Sequence, residues 1–365
     1  MSNKRLALII PTLDRSGAEK QFTLLATGLP KSQFEVHVFA LTRGGPYESS
    51  LRAAGLPVTV LNKRWKFDPQ SYFRLRTELQ RLQPDVIHTW LFAANAYGRL
   101  AAGASPTAKV VVSERCVDSW KQGWQLWLDR KLIGRTDQLV GNSQSVVEFY
   151  QQLGVPNEKL ACVPNGIDCP PPVAIDRPRM LRELGWPENA FVMGFIGRLA
   201  EQKRVDDLIF AVETLRQTRP NLRLLIIGDG PRRERLEHFA ADVGCTDHVR
   251  FVGHQTDTAR WLALLDVFGL ASSFEGMSNS LMEAMAAGKP AIVSDIPPNR
   301  ELVIQGETGF LAPVGDRVAY MQFLRMLIDD RELAAKLGAA GRTRMEQHFS
   351  IARMVRGYVD IYDSL

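Results

Sequence analysis

Glu275 and Glu283 stand with seven residues between them, and the segment that joins them begins Gly276, Met277, Ser278, Asn279. An apolar run over 267–271 leads in. The spacing predicts a helix that opens with Ser280, three residues before Glu283, as a capping box. The first carboxylate then sits on a turn and the second in the first helical turn. Between them the backbone N–H groups of residues 276–279 lack helical acceptors, so they and the helix dipole suit an anion. Two carboxylates able to accept hydroxyl hydrogen bonds, flanking a phosphate cradle, describe a receptor for a sugar nucleotide.

A matching pair of cations follows another apolar run, 192–196. Arg198 and Lys203 at that strand end can neutralise a diphosphate, the guanidinium as a bidentate fork and the ammonium as a point charge. Alone, this spacing would equally be a solvated basic loop; beside the Glu275 segment the ligand reading is preferred. Gly17, where the first strand turns into a helix, lets backbone approach a phosphate or sugar, or serves only the turn. Gly228 and Gly230 invite a dinucleotide reading, but Arg233 replaces the third glycine, which argues against a nicotinamide enzyme. His254 follows the next strand, where a nucleobase could lie against backbone; it reads equally well as a plain surface histidine. No two aspartates have the D-x-D spacing that would clamp a metal, so Arg198 and Lys203 are expected to supply the positive charge, with no metal and no cofactor.

The elements that must position these groups alternate between short apolar runs and helical-period segments, the grammar of parallel βαβ units. Strands are expected at 6–10, 35–40, 58–61, 86–89, 110–113 and 138–140, then at 192–196, 223–227, 249–252, 267–271 and 291–293. Prolines 170–172 mark a linker. The expected domains are therefore 1–170 and 171–348, with an amphipathic tail, 349–365, packing back on the first. Ligands of such sheets lie at strand carboxyl ends, here in the cleft between domains. Of 45 Lys+Arg and 40 Asp+Glu, residues 1–180 hold 23 and 15 (+8) and the remainder 22 and 25 (−3). The basic half suits an anionic membrane or a phosphorylated substrate; no helix-turn-helix, zinc or RNA-binding signature supports nucleic acid. Residues 6–13 are too short for a signal peptide and lack a cleavage site, and Cys116, Cys162, Cys169 and Cys245 lack zinc-site spacing. They are read as reduced core thiols of a cytoplasmic protein.

Together these residues resemble the retaining glycosyltransferases of family 4, which have the GT-B fold: α/β, two doubly wound Rossmann-like domains facing across a cleft. The resemblance covers essentially the whole chain. It rests on Glu275 with Glu283, on Gly197 through Lys203, on Ser16 through Glu19, on Pro164 through Asp168, and on Gly228 through Pro231. It implies that Arg198 and Lys203 bind the donor diphosphate, Glu283 the ribose hydroxyls, and Glu275 with the amides of 276–278 the transferred sugar. Gly17 would lie beside the phosphate or the acceptor. Many members end the fifth strand in a T-x-H whose histidine faces the sugar. Here the run is Ser113, Glu114, Arg115, Cys116, as in some bacterial members that build surface polysaccharides. Arg115 takes the histidine's place on the acceptor side; His88, ending the preceding strand, is either a substitute or a hydrogen-bonded strand-end histidine.

The resemblance implies metal-independent, retaining hexosyl transfer from a UDP- or GDP-sugar to a hydroxyl of a glycan, surface polysaccharide or lipid-linked acceptor. The place would be the cytoplasm or, peripherally, the inner face of the membrane. A nucleotide-sugar epimerase of the same fold is the alternative, although no acid–base pair poised at a sugar stands out. Trp65, Trp90, Trp120, Trp124 and Trp127 all fall in the basic half, the last three on one helical stripe beside Lys121, Arg130 and Lys131. Such a stripe suits anionic lipid headgroups and a lipid-linked acceptor, or packs into the domain's own core.

Overall fold

The computed structural model describes residues 3–117 and 121–365, which form two compact units: Met1–Gly166 with Ile351–Leu365, and Ile167–Ser350. The first unit holds a parallel sheet of β1 (Lys4–Thr12), β2 (Phe34–Arg43), β3 (Val58–Val60), β4 (Val86–Trp90), β5 (Lys109–Glu114), β6 (Gln138–Gly141) and β7 (Leu160–Cys162), in the order β3-β2-β1-β4-β5-β6-β7. Residues 6–10 are wholly buried because helices cover both faces, so the strand reads as an unbroken apolar run. The second unit repeats the design with β8 (Phe191–Ile196), β9 (Leu222–Ile227), β10 (Val249–Phe251), β11 (Val267–Leu270), β12 (Ala291–Ser294) and β13 (Phe310–Ala312), in the order β10-β9-β8-β11-β12-β13.

Two of these strands, β7 and β13, are absent from the sequence expectation. Each is a three-residue edge strand, too short for any period to register. The units divide between Gly166 and Ile167 rather than at the prolines. Pro170 belongs to the second unit, where Arg342 donates to its carbonyl at 3.0 Å and to that of Cys169 at 2.9 Å. All four cysteines are free thiols, but only Cys245 is fully buried, and burial pushes it up to about 11; the expectation of four core thiols fails for the other three.

The C-terminal helix, Ile351–Ser364, completes the first unit, and it decides the fate of His88 and Arg115. The His88 ring is buried, with Nδ1 2.7 Å from the Tyr362 hydroxyl and Nε2 2.8 Å from Ser113 Oγ. The Arg115 guanidinium lies 4.3 Å from the Trp90 ring, donates to the Tyr358 hydroxyl at 3.2 Å, and bonds Asn165 Oδ1. The resemblance sets Arg115 on the acceptor side and leaves His88 as either a substitute there or a hydrogen-bonded strand-end histidine. Instead they form an internal polar cluster that fastens the last helix to the sheet, and the hydrogen-bonded alternative holds for His88.

Burial first, and then the Arg115 charge, lower the His88 pKa to about 3. The unfolded chain, near 6.5, binds the proton more readily, so this group's contribution to stability is complete above pH 6.5 and is lost as pH falls toward 3. Chemical unfolding should show the first unit about 2 kcal/mol less stable at pH 5 than at pH 7. His88→Gln should flatten that difference; a wild-type stability unchanged across the window would disprove it.

Candidate active site

The order of each sheet reverses at one place, between β1 and β4 in the first unit and between β8 and β11 in the second. Loops leaving the carboxyl ends of adjacent strands diverge there and open a crevice, the usual ligand position of doubly wound sheets. In the second unit those loops are residues 197–204 after β8 and 271–278 after β11. They are stitched together by a backbone bond from Ser273 N to Gln202 O at 2.8 Å.

The loop after β8 is shaped by its own turn. Lys203 N bonds Ala200 O at 3.0 Å, Arg204 N bonds Glu201 O at 3.1 Å, and Arg204 takes a left-handed backbone, φ 48°, to start the helix Val205–Leu215. Its floor is the Gly228–Gly230 turn: Leu199 N bonds Asp229 O, and Arg232 N bonds Leu199 O, each at 2.9 Å. A Cβ at Gly228 would lie 1.9 Å from Gly197 O, and one at Gly230 2.5 Å from Leu199 O. Both glycines are therefore required by the close approach of the neighbouring loop, without any dinucleotide.

On this floor Lys203 Nζ pairs with Glu275, whose side chain is nearly buried. The Arg198 side chain is exposed and makes no hydrogen bond or ion pair among the described residues. A held Lys–Glu pair and an uncommitted guanidinium thus stand on these two stitched loops. Beyond Glu275, Gly276, Met277 and Ser278 are buried.

The helix here is Asn279–Ala286. Its cap is Ser278, whose Oγ accepts from Leu281 N at 3.4 Å, and not Ser280 in a capping box with Glu283. Ser278 is the last residue with extended backbone, so its hydroxyl is the one that reaches a first-turn amide. The shift leaves Glu283 on the first turns, half-buried. Exposed His254 follows β10, two strands from β8. Ser272, which the spacing did not single out, lies next to these groups; its hydroxyl is fully buried and has no partner among the described residues.

Gly17, His88 and Arg115 belong to the other unit. Gly17 opens the helix Gly17–Gly28, and the preceding Ser16 turns its hydroxyl to Glu19 rather than capping that helix. At the same switch point Leu91 leaves β4 with φ 69°, a conformation that costs a branched residue of order 1–3 kcal/mol. The 164–168 signature is a structural joint: Gln21 holds Gly166 through both its N–H, at 2.9 Å, and its carbonyl, at 2.8 Å.

The "Glycosyltransferase Family 4" model matches residues 15–169, and the "Glycosyl transferases group 1" model matches residues 176–344. The chain is a family 4 glycosyltransferase. The transferase is 29% identical to EpsD of Bacillus subtilis (strain 168), over 83% of each chain. It is 27% identical to the UDP-Gal:alpha-D-GlcNAc-diphosphoundecaprenol alpha-1,3-galactosyltransferase of Escherichia coli, over 92% of its own length and 90% of the other's. It superposes on Anabaena Alr3699/HepE, solved in complex with UDP-glucose, with a TM-score of 0.88 at 21% identity, over 99% of this chain and 100% of that one. The two parallel-sheet units of the transferase are those of the GT-B fold.

Proposed function

We propose that the enzyme transfers a sugar from a uridine diphosphate donor to a hydroxyl of a glycan or lipid-linked acceptor, with retention at the anomeric carbon and without a metal. The observation that carries this reading is the uncommitted Arg198 on the same loop as Lys203, which pairs with Glu275, at the switch point of the second sheet. The hard step is departure of the diphosphate. Arg198, Lys203 and the amino end of Asn279–Ala286 would stabilise the charge as it develops, in positions that need no reorganisation. Glu275 would accept from the transferred sugar's hydroxyls and Glu283 from the ribose. In the retaining step the anomeric C–O bond to phosphate breaks, the acceptor oxygen bonds the same face, and the leaving phosphate takes the acceptor's proton.

The uridine donor is supported by the nucleotide bound to HepE and by the donor named for the Escherichia coli relative. That relative's name also gives a lipid diphosphate as part of its acceptor. On this chain Trp65, Trp124 and Trp127 are exposed rather than core, which supports an acceptor with a lipid part. Trp90 is buried, and Trp120 lies outside the described residues. No helix among the described residues is long and apolar enough to cross a membrane. On the reading of a lipid-linked acceptor, the enzyme would work in the cytoplasm and meet that acceptor at the inner membrane face.

Incubating the purified protein with radiolabelled UDP- and GDP-sugars, with and without membrane extract, tests the reading. Product should form only when acceptor is present and should survive EDTA. An altered nucleotide sugar without acceptor would mean an epimerase, and loss of activity that Mg²⁺ restores would mean the phosphate site is misread. Glu283→Gln should weaken UDP binding in calorimetry, whereas Glu275→Gln should mainly reduce turnover. The reverse pattern would overturn these two roles.

A further inference from the structure

The first unit carries a groove of about 640 Å³ that the donor chemistry does not use. Its walls are the helices Pro69–Leu82, Leu91–Ala101 and Gly123–Leu132, with the loop 63–68 across one end. The size is that of a small-molecule site. The lining stands open to water, with Phe67 76% and Phe73 62% exposed. Exposed aromatic rings lining a concave groove are what a ligand with a hydrocarbon part can bury. The far wall is fixed: Trp124 meets Phe92 edge-on at 5.6 Å and donates its indole N–H to Gln122 Oε1 at 2.7 Å.

Two lysines and one carboxylate stand at the polar end of the groove. Lys63 Nζ lies 5.4 Å from the centre of the Tyr97 ring, and Lys66 is exposed beside it. Neither has an ion-pair partner among the described residues. Burial lowers the Lys63 pKa and the Asp68 charge only partly opposes it, so a further anion there would restore what desolvation costs. The one carboxylate in the lining, Asp68, is spent inward: it accepts from Arg64 N at 2.9 Å, Ser71 Oγ at 3.0 Å, Gln70 N at 3.1 Å and Ser71 N at 3.3 Å. Two ammonium groups without ion-pair contacts, at the end of an apolar trough, complement an amphiphile with one hydrocarbon chain and an anionic head.

We propose that this groove binds the hydrocarbon chain of a lipid phosphate or diphosphate, with the head group at Lys63 and Lys66. That the lipid is the carrier of the acceptor rests on the transfer reaction proposed above; its binding does not depend on turnover. Full-length protein is titrated with octyl, decyl and dodecyl phosphate below their micelle concentrations, followed by tryptophan fluorescence and calorimetry, beside inorganic phosphate and dodecyl maltoside.

Affinity should rise with chain length, approaching about fourfold for each buried methylene, and dodecyl phosphate should outcompete both controls. Phe73→Asp, and separately the double variant Lys63→Ala with Lys66→Ala, should each weaken dodecyl phosphate at least tenfold while UDP affinity stays unchanged. Independence of chain length, inorganic phosphate binding as tightly, or full affinity in Phe73→Asp overturns the proposal. So does a dimer in sedimentation that Phe73→Asp abolishes, or association with anionic vesicles without any binding of monomeric dodecyl phosphate. Failure of the transfer reaction itself would show in the donor assay with dodecyl phosphate binding intact.

Discussion

Arg198→Ala should lower kcat/KM by on the order of 3 kcal/mol, roughly two orders of magnitude, as expected when one charge donor is removed from a preorganised site. Its exposed, uncommitted side chain makes no contribution to packing, so the unfolding midpoint should not move. Lys203→Ala should lose about as much activity for a partly different reason. It removes a cation from the phosphate site and also leaves Glu275, nearly buried, without its counter-charge. The two variants should therefore separate in stability while agreeing in kinetics. Steady-state rates with a saturating acceptor, together with denaturant unfolding, make the comparison. Near-normal turnover in both variants would remove these groups from the reaction.

The second large effect is one of stability. Lys121 is buried between Glu114 Oε1, at 3.2 Å, and Asp129 Oδ2, at 3.0 Å, and it donates to the Tyr150 hydroxyl at 2.7 Å. Arg99, also buried, pairs with the other Asp129 oxygen. Two cations and two carboxylates thus balance in the interior, and the helix Gly123–Leu132 is anchored through them. Lys121→Met keeps the stem's volume but strands both carboxylates with one guanidinium, which should cost about 3–5 kcal/mol. Adding Glu114→Gln should recover part of that loss, since the orphaned charge goes with it. Denaturant titration decides: a change below about 1 kcal/mol in Lys121→Met would mean that the cluster is solvated and the cost argument does not apply.

The legible part of this molecule was the part written in contiguous runs. The strands behind Arg198 and Glu275 announced themselves as apolar segments, because a parallel strand covered on both faces has no polar side to alternate. The cap was misread by two residues because Ser278 and Ser280 are chemically equal and only backbone conformation distinguishes them. Arg115 was misplaced for a different reason. The resemblance sets it in the place of the family's sugar-facing histidine, but its partners Asn165 and Tyr358 come from 50 and 243 residues away. The same holds for Lys121, which the sequence sets beside a lipid-facing stripe and which the structure buries between Glu114 and Asp129. Trp124 and Trp127 had a helical spacing that fitted a core as well as a surface, and only exposure separates the two.

The place of the helix Ile351–Ser364 in the first unit has a consequence for biosynthesis. Its tyrosines seal the sheet they pack on: Tyr362 meets Phe34 at 5.8 Å and Tyr358 meets Trp90 at 6.0 Å. Those residues leave the ribosome only after the whole of 167–350, which at ordinary translation rates takes on the order of ten seconds or more. The second unit can finish folding on schedule. The first must wait with part of one sheet face uncovered, His88 without Tyr362 and Arg115 without Tyr358, and that apolar surface open to other chains. Nascent molecules of this enzyme are therefore the state in which a chaperone has most to protect.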